Sequence, residues 1–147
     1  FDIADNGDFY VSFEADSLMY RYDLDYNQLV CFGFAGRDMD LNYLRWDSYD
    51  QPWKERLAER MSRGFYNAVE YVDETGLLFR SYRKGGGSVT DGLQVYRDGV
   101  LVGDVDVPLG FRMAGYVAPY YYSYVVPDEE GERLYMFRFK WPSAPEE

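Results

Sequence analysis

Between Tyr66 and Pro108 apolar and polar positions alternate in four short runs, each closed by turn residues: YNAVEYVDETGLLFRSYRKGGGSVTDGLQVYRDGVLVGDVDVP. A period of two marks strands whose two faces meet different surroundings. The pattern predicts strands at 66–72, 77–83, 93–97 and 100–107, which together make one antiparallel meander. Its turns are explicit. Asp73-Glu74-Thr75-Gly76 puts glycine where a short hairpin loop needs positive φ, and Asp98-Gly99 is a two-residue hairpin signal between Leu93, Val95, Tyr96 and Val100, Leu101, Val102. Lys84-Gly85-Gly86-Gly87-Ser88 reads as a solvated connection, because the G-x-x-x-x-G-K-[ST] spacing of a phosphate cradle is absent and no helix follows it.

The same alternation flanks this meander. Before it, Asp8–Ala15 and Leu18–Asp23 predict a hairpin across Asp16-Ser17, with Gln28–Phe34 returning as a third strand. After it, 111–118, 120–126 and 133–141 predict three more strands, the last two joined by the acidic turn 127–132. Three strands open on leucine: LMYRYD at Leu18, LQVYRD at Leu93 and LYMFRF at Leu134. The second and third openings are 41 residues apart and the first and second 75, which becomes 47 when the 28 residues from Arg37 to Gly64 are set aside. Intervals of roughly 40–50 residues are those of propeller blades. The expected fold is therefore all-β, about three antiparallel four-stranded blades over residues 1–147, with units near 1–36, 64–108 and 109–141 and a helical insertion at 37–63.

Within the insertion, Asp50 is placed to cap a helix, Pro52 suits its first turn, and Trp53, Leu57 and Met61 fall on one face, which is expected to pack on the sheets. Glu59 and Arg63 have the spacing of an i,i+4 ion pair. Three blades cannot close a ring, so the stack is expected to leave open strand edges that pair with the remaining blades of a longer chain or with a second copy.

Composition supports the β reading and narrows the chemistry. Tyr 16, Phe 10 and Trp 3 make rings one residue in five, and rings fit a pleated surface better than a helix. A net charge of −11 repels phosphate backbones and anionic headgroups, so nucleic acid is not an expected partner. No apolar run is long enough to span a bilayer, and Phe1-Asp2 does not begin a signal peptide. The opening FDIADNGDFYVSF looks like the middle of a meander, so further chain is expected before it. Cys31 is the lone cysteine, and Val30 and Phe32 beside it predict a buried, inert thiol.

The chain has no histidine, which removes imidazole general bases, Ser-His-Asp systems and H-E-x-x-H zinc sites. Asp23, Asp25 and Asn27 copy the opening of a calcium loop, but Gln28 and Phe34 stand where that loop needs glycine and glutamate, so no metal is expected. Asp104 and Asp106, alternating with Val105 and Val107, read as the wet face of a strand. Glycosidase chemistry needs two carboxylates, and sialidase-type propellers add arginines and a tyrosine; Glu70, Tyr82, Arg80, Arg83 and Arg97 supply those types, although the S-x-D-x-G-x-T-W box is absent. Exposed rings offer the alternative of stacking on sugars or peptides, with Trp46, Trp53, Trp141 and the run Tyr120, Tyr121, Tyr122, Tyr124 as candidates.

The stretches YRYDLDYNQLVCFGFAGRDMD, GFYNAVEYVDETGLLFRSY, DGLQVYRDG, GDVDVP and GYVAPYYYSYVV resemble the TolB-like six-bladed β-propeller family, envelope proteins of gut anaerobes to which no activity is assigned. The resemblance covers nearly the whole chain and is to the C-terminal half of family members. It implies six blades and a periplasmic or cell-envelope location, and it carries no catalytic residues. The expected function is a noncatalytic binding or scaffolding module, without cofactor, whose ligand is a glycan or an envelope protein. Arg37, Asp38, Trp46, Trp53 and Tyr121 are the expected ligand contacts, and a carbohydrate-active enzyme is the alternative.

Overall fold

A computed structural model of the chain describes residues 1–42, 50, 52–128 and 130–142. The fold is mainly β, with one short helix. The first sheet holds β1 (Asp2–Ile3), β2 (Phe9–Ser12), β3 (Met19–Tyr22) and β4 (Gln28–Phe32), antiparallel and in sequence order. After α1 (Trp53–Ser62), the second sheet holds β5 (Phe65–Val72), β6 (Leu77–Arg83), β7 (Asp91–Arg97) and β8 (Val100–Val107), again in sequence order. In the third unit β9 (Met113–Val117), β10 (Tyr120–Ser123) and β13 (Arg138–Phe139) pair as β13-β10-β9, while β11 (Val126–Pro127) and β12 (Leu134–Tyr135) form a ribbon of their own.

The sheets stack face on face, with the second in the middle. On its far side Val72, Leu77, Phe79, Leu93 and Val95 pack against Phe111, Met113 and Tyr121 of the third unit. On its near side Val69, Leu78 and Tyr96 pack against Ala4, Tyr10 and Met19 of the first. Both faces being covered, β6 and β7 are buried along almost their whole length. Asp98 and Gly99, at φ +51° and +79°, make the tight turn that Asp-Gly demands.

Face-on-face stacking leaves the outer faces of the first sheet and of the third unit uncovered, and the sheets also end in edge strands, β1 and β4 in the first and β5 and β8 in the second. Five expectations are corrected. The first sheet has four strands rather than three, because Asp2–Ile3 is too short to show alternation. Its first hairpin stops at Ser12 and resumes at Met19, because the carbonyls of Phe13, Asp16, Ser17 and Leu18 accept hydrogen bonds from Arg80 of the second sheet and not from a strand partner. Trp53, Leu57 and Met61 do not pack the helix on the sheets: they are 62%, 41% and 44% exposed. The helix is tethered through its polar side, Arg60 to Glu14 and Arg63 to Glu59 and Asp40, so its apolar stripe faces outward. Its N-cap is Pro52, without a side-chain cap, and not Asp50. Finally, Cys31 is exposed, since the outer face of the first sheet is uncovered.

Candidate binding cleft

Two polar assemblies follow from the stack. The first lies where residues 34–37 cross the near face of the second sheet. Extended backbone buried there must find partners for its amides and carbonyls, and the strands supply them. Tyr96 accepts from the Phe34 amide, Gln94 donates to the Phe34 carbonyl, Tyr66 accepts from the Gly36 amide, and Tyr82 donates to the Arg37 carbonyl. That one proton is shared, with Asp104 the nearer acceptor at 2.6 Å and the Arg37 carbonyl at 3.2 Å; burial first, and the Asp104 bond second, push the hydroxyl far above the ordinary range. Asp106 accepts from Lys84 at 2.6 Å and from Arg37 at 2.7 Å, and these two cations hold its carboxyl below the usual range. Asp104 and Asp106 therefore receive the crossing segment, Asp106 while still half-exposed to water.

Of the sequence-predicted ligand contacts, Arg37 is spent on this seam. Asp38, at φ +58°, lies 4.0 Å from both the Arg37 and Lys84 cations. Trp53 stands exposed on α1, remote from any assembled site, and Trp46 lies outside the described residues.

Tyr121 leads elsewhere. It forms the wall of a cleft of about 680 Å³ between the second sheet and the third unit. The β5–β6 turn brings Glu74 and Thr75, the end of β7 brings Arg97, β9 and β10 bring Tyr116 and Tyr121, and the last described strand leads into Lys140 and Trp141. Tyr121 is fixed by rings on three sides, with centroids of Tyr116, Phe79 and Phe139 at 4.7, 4.8 and 5.4 Å. Burial pushes its hydroxyl up, opposed by Thr75 and Arg97. Trp141 closes against Gly103 of β8, where any side chain would collide, since a Cβ would come within 2.3 Å of the indole. Arg97 and Lys140 have no carboxylate within 4.0 Å among the described residues. Rings with two cations beside them suit a ligand having both apolar faces and polar groups. Arg97, Trp141 and Tyr121 were candidates by residue type alone, whereas Tyr116 and Lys140 gave no sequence signal; the clue was that the turn after β5 and the end of β7 face the same neighbouring unit.

A third feature lies where the first strands of the three sheets meet. Glu70 of β5 is half-buried beside Gly115 of β9, and burial first, then the Asp2 carboxylate of β1, push its carboxyl up to about 7. With the folded value raised above the ordinary one, the folded chain binds the extra proton between the two, so this group's contribution to stability falls as pH rises toward 7. Glu70→Gln is therefore expected to gain stability relative to the natural chain at pH 8 and to lose that advantage at pH 5, as read by urea unfolding at the two pH values.

No protein-family model, curated protein or solved structure matches the chain.

Proposed function

We propose that the chain is a noncatalytic binding module built of β-propeller blades, as in the TolB-like envelope family that its sequence resembles, and that it presents a glycan site in the cleft between its second and third units. The observation that carries this reading is the cleft itself: a ring-walled recess with Arg97 and Lys140 in its lining, neither within 4.0 Å of a carboxylate among the described residues. Support for the blade reading comes from the three stacked sheets, whose first strands β1, β5 and β9 draw together as they do around a propeller axis. A periplasmic or cell-envelope setting rests on the resemblance alone.

The scaffolding side of the reading concerns the two uncovered faces, and the partner proposed is a second copy of the chain. The outer face of the first sheet carries Phe9, Val11, Tyr20 and Tyr22, within a stretch, 1–34, that has seven carboxylates and one arginine. The outer face of the third unit carries Val117, Tyr120 and Tyr122, with the Arg138 and Lys140 cations 4.7 and 5.2 Å from the Tyr120 ring centre. An acidic aromatic face and a basic aromatic face on opposite ends of one chain favour head-to-tail contact, which closes when the rotation allows. Light scattering is expected to give twice 17.3 kDa, and Tyr122→Asp to return monomers. A natural chain that stays monomeric at every concentration contradicts this partner.

Glu70 favours the second reading, a carbohydrate-active enzyme, because a carboxylic acid held protonated near neutrality beside a carboxylate is the pairing of glycoside hydrolysis. A glycan-binding and hydrolysis screen separates the two. Binding without turnover is the expected result; turnover abolished by Glu70→Gln transfers the assignment to the enzyme.

A further inference from the structure

We infer that the cleft between the second sheet and the third unit takes a carboxylate-bearing sugar chain, one containing uronic or similarly acidic residues; this rests on the glycan reading given above. The charge distribution is the main reason. On a chain with a net charge of −11, Arg97 and Lys140 sit at one recess with no carboxylate within 4.0 Å of either among the described residues, and they outnumber Glu74, the one acidic residue of its lining. Arg97 carries a planar fork of donors that matches a carboxylate in two-point contact, whereas a neutral sugar hydroxyl gains little from it.

The remaining wall suits the rest of a sugar. Tyr116, Tyr121 and Trp141 offer ring faces and edges for the apolar side of a pyranose, and Tyr121 is locked by its aromatic neighbours. Glu74 and Thr75, in the turn at the rim, supply an acceptor and a hydroxyl for sugar O–H groups. Lys140 lines the recess at its rim, with its ammonium 5.2 Å from the centre of the Tyr120 ring on the outer face of the same unit.

The test is calorimetric titration of the full chain with oligogalacturonate, with its neutral methyl ester and with an acidic peptide of equal charge. Oligogalacturonate is expected to bind at least tenfold tighter than the ester, and to weaken as salt screens the cations. Arg97→Gln, an exchange at the partly exposed end of β7, is expected to lower its affinity about 10- to 100-fold, the loss of one charge-assisted hydrogen-bond pair, with the far-UV spectrum unchanged. Equal affinity for acid and ester, unaltered in Arg97→Gln, overturns the acidic preference and leaves the glycan reading standing. Binding of the peptide alone overturns both, and so does binding of none of the three in a screen where other glycans also fail.

Discussion

Arg80→Met is expected to cost the fold about 3–5 kcal/mol, the range for removing one partner from a buried charged network. Arg80 is fully buried, and among the described residues no carboxylate lies within 4.0 Å of its guanidinium. Instead its Nε donates to Ser12 Oγ at 2.8 Å, Nη1 to the Ser17 carbonyl at 2.7 Å and Nη2 to the Asp16 carbonyl at 2.5 Å, while its guanidinium lies 3.2 Å above the centre of the Tyr66 ring. Burial pulls its pKa down to about 10, which leaves it charged at neutral pH. A methionine of similar length would keep much of the volume but leave the Asp16, Ser17 and Leu18 carbonyls without this donor at the part-buried junction of the two sheets. Because this loop belongs to the first sheet and Arg80 to the second, the loss falls on the contact between them. Arg80→Lys is expected to rescue little, since one ammonium cannot reproduce a planar fork spread over several acceptors. Urea unfolding with an unchanged slope and a midpoint lowered accordingly is the expected record; a loss under about 1 kcal/mol, the worth of one ordinary hydrogen bond, would remove Arg80 from its place as the clasp.

Gly92→Ala is expected to be comparably severe, for a steric reason. Tyr82 of β6 reaches across Gly92 of β7 to bond Asp104 of β8, so its ring lies directly on the glycine. A Cβ at position 92 would come within 1.9 Å of Tyr82 Cζ and 2.3 Å of its hydroxyl oxygen. The ring has no room to retreat: Tyr82 is fully buried, with Tyr66 on one side and two hydrogen bonds holding the hydroxyl. Overpacking of this kind costs about 1–3 kcal/mol, and the broken seam adds the desolvation of Asp104 and the Arg37 carbonyl, about 1–3 kcal/mol more. Tyr82→Leu in the same background is expected to cost less than the sum of the two single changes, because the leucine no longer overlaps the added methyl. Additive costs in that thermal-unfolding cycle would mean that ring and glycine do not share the space.

Both positions mark the boundary of what the sequence discloses. Strands β5 to β8 lie within two residues of the alternation pattern, because the Asp-Glu-Thr-Gly and Asp-Gly turns punctuate them and both sheet faces are covered. The stretch Asp104-Val105-Asp106-Val107 looks the same whether its polar side meets water alone or also a crossing segment, and alternation cannot distinguish them; residues 34–37 supply that segment. Arg80 is visible only as a residue type, since its partners are the Ser12 hydroxyl and carbonyls 62 to 67 positions away that carry no sequence mark. The exposed Trp53-Leu57-Met61 stripe shows the converse, a core-like spacing on a helix that is held by its arginines. Of the candidate site, Tyr121 and the ring and arginine types beside it were legible, while the cleft they form depends on how two units meet.

The central claim, a binding cleft without turnover, is tested most directly by titrating the isotopically labelled chain with the glycan that binds best and following its amide and indole signals while assaying the sugar. Saturable shifts at Thr75, Arg97, Tyr116 and the Trp141 indole, with the sugar recovered intact, are the result expected. Shifts centred on Glu70 with released product, or confined to the helix around Trp53, would contradict it.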